Sequence, residues 1–112
     1  MTGLSTTVLD TSRGKPAAGL SVILERFDEG AWLQVSRSPT AEDGRTGPLS
    51  EPGPWETGTW RLTFDTGAFY AERGKTCFWP EVRLLFEVSD AQRHHHIPLH
   101  LARHGYSTCL GG

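Results

Sequence analysis

No stretch of the chain is apolar for anything near the roughly eighteen residues that a membrane-spanning helix requires, so no such span and no membrane partner are expected. Charge of one sign is equally scarce. Lys and Arg number 11 against 13 Asp and Glu, for a formal net charge of -2, and no basic block or basic-aromatic alternation occurs. A nucleic acid or other polyanion is therefore not an expected partner. The opening residues MTGLSTTVLD contain no charged segment leading into an apolar one, and the expectation is a soluble, cytoplasmic protein. Cysteine is limited to Cys77 and Cys109, which in that setting are expected as free thiols.

What remains is a chain of 112 residues, enough for one core, and residues 1–112 are read as a single domain. Its apolar residues alternate with polar ones at period two. Leu20, Val22 and Leu24 share one face of a strand, Trp60, Leu62 and Phe64 that of another, and Val82, Leu84, Phe86 and Val88 that of a third. These ten are the expected core. Turn signals separate the runs: Arg13-Gly14-Lys15-Pro16, Asp28-Glu29-Gly30, Glu42-Asp43-Gly44 and the Pro/Gly-rich stretch from Pro48 to Gly58. Only Thr66 to Lys75 (TGAFYAERGK) has helical character. Short strands at this spacing with one short helix predict an all-β sandwich. Of the four tryptophans, Trp60 follows the core alternation, whereas Trp55 sits in the Pro/Gly-rich loop and is expected to be exposed.

The densest chemistry is HHHIPLHLARHGYSTCL near the end of the chain. As a strand, it points His95, Ile97, Leu99 and Leu101 one way and His94, His96, Pro98 and His100 the other. Three histidines then share a polar face, while His95 is an interior or interface histidine. Pro98 offers no N–H, so one flank of that strand must skip a ladder bond. The spacing also argues against a metal: at ~3.3 Å per residue His100 stands about 13 Å from His96, and no carboxylate or thiolate is close in sequence. No metal and no cofactor are expected.

Four stretches in order resemble a known family: LSTTVLDTSRGKPAA (Leu4 to Ala18), DGRT (Asp43 to Thr46), FWPEV (Phe78 to Val82), and the histidine strand running into Gly105-Tyr106-Ser107-Thr108. The sequence is similar to the transthyretin-like proteins, above all to their enzymatic branch, the 5-hydroxyisourate hydrolases. The resemblance implies a sandwich of two four-stranded sheets with one short helix, and a homotetramer whose small-molecule substrate binds in a channel between dimers. It also implies site residues. The hydrolases use a histidine just before the Val-Leu-Asp, the arginine of the Asp-Gly-Arg-Thr turn, the second histidine of His-x-His, and a terminal Tyr-Arg-Gly-Ser. Arg45 and His96 match and are the catalytic candidates. Thr7 stands in place of the first histidine, and the tail reads Cys109-Leu110-Gly111-Gly112.

These departures bear on chemistry. Opening a ring amide needs a base for water and donors for the developing oxyanion. Thr7 orients water but does not take its proton near neutral pH. Leu110 in place of an arginine deletes a planar two-point donor, and losing one such preorganised group costs ~3 kcal/mol, or about a hundredfold in rate. The resulting expectation is a diverged acid–base enzyme acting on a small cyclic or carbonyl-containing metabolite by hydrolysis or cyclisation, in secondary metabolism. Thr7, His94, Cys109 and Leu110 are its substrate-binding candidates. Two alternatives stand beside it: a non-catalytic small-molecule binding protein, and a weak 5-hydroxyisourate hydrolase of purine catabolism in which His94 or His104 replaces the lost base. Cys109 is either a small filler or, given a lowered thiol pKa, a nucleophile.

Overall fold

The computed structural model describes residues 3–51 and 53–111. Its elements are β1 (Gly3–Asp10), β2 (Lys15–Pro16), β3 (Ser21–Asp28), β4 (Ala31–Pro39), β5 (Gly58–Phe64), α1 (Thr66–Ala71), β6 (Val82–Val88), β7 (His94–Leu101) and β8 (Tyr106–Thr108). The strands form two four-stranded sheets, ordered β2-β1-β7-β8 and β4-β3-β5-β6, as the resemblance implies.

Alternation decides which side chains fill the space between the sheets. Leu4 and Val8 of β1, Val22 and Leu24 of β3, Trp60, Leu62 and Phe64 of β5, and Leu99 and Leu101 of β7 are fully buried there. Eight of the ten expected core residues are sealed. Leu84 and Phe86 are only half-buried and pack against the core from outside it, because β6 is an edge strand whose inner face looks into a cavity. Trp55 departs from its expected exposure. Its ring lies 4.6 Å from that of Trp60 and 5.7 Å from His95, so the Pro/Gly-rich loop folds inward over the core. The helix is shorter than the Thr66–Lys75 expected. After Ala71 the N–H groups of Arg73 and Gly74 bond back to the Tyr70 and Ala71 carbonyls, tightening the last turn and ending the helix.

Two features of the first sheet place the histidines. β1 and β7 run parallel, pairing Gly3 with His94, Ser5 with His96 and Thr7 with Pro98. Between β7 and β8 the pairing is antiparallel, Leu99 with Thr108 to Leu101 with Tyr106, and the same register reappears where the Gly111 N–H donates to the His96 carbonyl at 2.7 Å. Midway, Pro98 faces Cys109 at a position where the pair should exchange hydrogen bonds, and proline has none to give. β8 therefore stops at Thr108, whose hydroxyl donates to the Pro98 carbonyl at 2.6 Å, and Cys109 and Leu110 leave the ladder. β7 is an inner strand, and the flank on which Pro98 skips its ladder bond is the one facing β8.

Candidate functional site

Ser5, Thr7 and the histidines meet because β1 and β7 are adjacent and in register on the outer face of the first sheet. Odd-numbered residues of β1 face outward, and the parallel pairing sets Ser5 beside His96. Ser5 Oγ lies 2.9 Å from His96 Nδ1 and 3.0 Å from His94 Nε2, and Thr7 Oγ1 lies 3.0 Å from His96 Nε2. Both nitrogens of His96 are thus met by hydroxyls. His94 Nδ1 is buried with no partner among the described residues.

The chain between β4 and β5 brings Arg45 to the same face. Residues 44–49 continue the β1 edge beyond the short β2: Val8 N–H donates to the Gly44 carbonyl at 2.8 Å, Thr46 N–H to Thr6 at 3.0 Å, and Leu49 N–H to Leu4 at 2.8 Å. The turn before it admits only glycine at position 44, where φ is 80° and a Cβ would stand 2.5 Å from the Val8 carbonyl oxygen. Arg45 N–H donates to Asp43 Oδ1 at 3.0 Å, an Asx turn that fixes the arginine at an isolated bridge with Thr7. The guanidinium has no carboxylate within ion-pair reach among the described residues.

Ser5, Arg45, Thr46, Pro48, His94 and His96 enclose an open cavity of about 290 Å³. Burial, then His94, then Arg45, push the His96 pKa below its ordinary value, so the imidazole is neutral at pH 7 and free to accept a proton. Two proton arrangements close the hydroxyl–imidazole chain. In one, Thr7 O–H donates to His96 Nε2, His96 Nδ1–H to Ser5, and Ser5 O–H to His94 Nε2. In the other every donor and acceptor reverses. Passing from the first to the second moves protons along the chain and also requires one to reach Thr7 Oγ1 and one to leave His94 Nδ1.

Of the expected site residues, the structure gathers His96, Arg45 and His94 around one cavity and sets Thr7 behind His96 rather than in the cavity wall. It does not bring Cys109 and Leu110 there. They line a larger cavity of about 390 Å³ with Leu84, Phe86, Ile97 and His95 between the edges β6 and β8; Gly112 lies outside the described residues. His100 is exposed and away from both cavities, and no group of three metal-ligating side chains occurs among the described residues. His95 is buried, as expected, its Nδ1 2.9 Å from the Arg93 carbonyl. Cys77 and Cys109 are free thiols. Ser5 was not singled out from sequence; the period-two spacing to Thr7 was the available signal, but its partners became visible only with the β1–β7 pairing.

Comparison with known proteins agrees with this architecture. The 5-hydroxyisourate hydrolase of Salmonella typhimurium is 36% identical over 108 residues, covering 96% of this chain and 79% of that protein. The solved structure of Klebsiella pneumoniae 5-hydroxyisourate hydrolase superposes with a TM-score of 0.87 at 33% identity, covering all of both chains. Sea bream transthyretin in complex with thyroxine superposes with a TM-score of 0.90 at 25% identity, covering 96% of this chain and 93% of the other. The match to the HIUase/Transthyretin family runs over residues 4–111, from the first residues of β1 to the glycine that bridges back to His96, and the chain belongs to that family.

Proposed function

We propose that this protein is an acid–base enzyme that hydrolyses or cyclises a small cyclic or carbonyl-bearing metabolite in the cavity between His96 and Arg45, in secondary metabolism. One observation carries the reading: a neutral imidazole at the cavity wall, held at both nitrogens and facing an arginine free of any carboxylate among the described residues. In this reading a water or substrate hydroxyl gives its proton to His96 Nδ1 through Ser5 Oγ, which passes on its own proton as it takes the new one. Arg45 holds the carbonyl oxygen as negative charge develops on it. The proton returns by the same route to the leaving nitrogen or oxygen. With Thr7 in place of a histidine, the site has one ionisable group fewer for a polar, urate-derived ring than the resemblance implies for the hydrolases; Leu110, which stands in place of an arginine, lines the other cavity.

A second reading is favoured by the Ser5 bridge, which joins a second imidazole, His94, to His96. Under it the protein hydrolyses 5-hydroxyisourate, the compound in the relatives' names. Following the absorbance decay of freshly generated 5-hydroxyisourate separates the two. The first reading expects decay at the spontaneous rate; acceleration that disappears in His94→Gln establishes the second.

A further inference from the structure

The opposite end of β1 carries a second cluster of charge that the His96 cavity does not use. Asp10, at that end, is buried, and its carboxylate accepts from the Ser12 and Arg13 N–H groups and from Arg13 Nε at 2.9 Å. This compensates Asp10 and occupies Arg13. Three further cations line the same small cleft, of about 170 Å³, between the β1–β2 turn, α1 and the segment after β7: Arg73, Lys75 and Arg103.

Two of the three are fixed by neutral groups. Arg73 donates to the Phe69 and Ala18 carbonyls at 2.8 and 3.0 Å, with its guanidinium 3.7 Å above the Phe69 ring. Its one carboxylate neighbour among the described residues, Glu72, stands 3.9 Å away and is largely exposed, a weak and screened contact. Arg103 donates to the Thr76 carbonyl at 2.7 Å and to its hydroxyl at 3.2 Å. Neither Arg103 nor Lys75 has a carboxylate within ion-pair reach among the described residues. Carbonyl partners hold these side chains in place without cancelling their charge.

The second observation is Tyr70. It is 2% exposed, lines the same cleft with Ser12, and its hydroxyl has no hydrogen-bond partner of good geometry among the described residues. Burial first, then Asp10, raise its pKa, so the phenol stays protonated and is a donor. A buried donor left unmatched is costly, and natural structures rarely leave one without a purpose.

We propose that this cleft is a second ligand site, which takes a small oxyanion, a carboxylate or a phosphate, on Arg73, Lys75 and Arg103 with the Tyr70 hydroxyl donating to one of its oxygens. The chemistry suits the ligand: guanidinium and ammonium groups recognise oxyanions, and charge-assisted bonds are the strong ones. The cleft has room for a charged group the size of phosphate or acetate. The site shares no lining residue with the His96 cavity, so it stands whether or not the reading of that cavity does.

Calorimetric titration of the full chain with inorganic phosphate, and separately with acetate, at constant ionic strength tests this. Saturable binding of either ion at one per chain is expected, phosphate indicating a phosphate site and acetate alone a carboxylate site. Arg103→Gln should weaken it at least about tenfold and Tyr70→Phe about threefold, the scale of one charge-assisted and one neutral hydrogen bond. Without the ion, Tyr70→Phe should be no less stable than the parent, since the hydroxyl it loses has no partner of good geometry among the described residues. Equal heats with chloride, binding that survives Arg103→Gln but is lost in Arg45→Gln, or no saturable binding of either ion would each overturn the proposal.

Discussion

Replacing Ser5 by alanine probes the hydroxyl bridge without needing a substrate. The Ser5 hydroxyl is bonded to two imidazole nitrogens, at 2.9 and 3.0 Å, and its loss leaves His96 Nδ1 and His94 Nε2 to whatever water reaches them. A hydrogen bond contributes about 0.5–1.5 kcal/mol net, so two would give ~1–3; both imidazoles are half-buried and partly rehydrated, which favours the lower part of that range, ~1–2 kcal/mol. Urea unfolding followed by tryptophan fluorescence, at fixed protein concentration and neutral pH, measures it. The decisive form is a double-mutant cycle with His94→Ala. If Ser5 bonds His94 as the structure shows, removing His94 after Ser5 should cost less than removing it first, with a coupling of about 0.5–1.5 kcal/mol. Costs that add to within ~0.3 kcal/mol would refute the bridge and, with it, the linkage of the two histidines.

Once a substrate is in hand, His96→Ala should lower kcat/KM by at least about a hundredfold, since general acid–base assistance contributes ~10²–10⁴. Arg45→Lys should also be damaging, because an ammonium cannot reproduce a planar two-point contact; full activity in both variants would leave the cavity without a catalytic role. The His96 ring should titrate below the ordinary histidine range by NMR, chiefly because it is buried, and His94→Gln should raise it only part of the way. Because its folded pKa is depressed, the unfolded chain binds the proton more readily, so the His96 contribution to stability is complete above the ordinary pKa and is lost as pH falls through that value towards the folded one. Gly111→Ala should lower stability by ~1–3 kcal/mol in thermal unfolding, as its Cβ would stand 2.9 Å from the His96 carbonyl oxygen; an unchanged Tm would show that the tail yields freely.

Residues whose environment repeats along the sequence were legible before the structure. Alternation identified the inner faces of β3, β5 and β7, since a strand in a sandwich has only two sides to offer. It overreached at Leu84 and Phe86, where period two is kept although an edge strand has no neighbour to seal it. Trp55 was misjudged for a related reason: composition marks a loop, but not whether an indole in it folds back onto Trp60. At the site, His94 and His96 shared a face by spacing alone, and Arg45 was suggested by resemblance. Ser5 needed the pairing of strands 89 residues apart, which no local pattern encodes. The separation of Cys109 and Leu110 from the His96 cavity likewise depends on which face of the sheet the tail passes.

Pro98 has a further consequence. Thr108 and Gly111 tie the tail to β7, and the two residues between them contribute side chains to the larger cavity without contributing to the sheet. Their size, charge and polarity are thereby uncoupled from strand register, and register is what sets His96 beside Ser5. Changes at 109 and 110 alter what one cavity admits while the imidazole in the other keeps its place. A single missing N–H thus divides the tail into anchors, where variation is costly, and a short exchangeable stretch, where new selectivity can arise without renegotiating the fold.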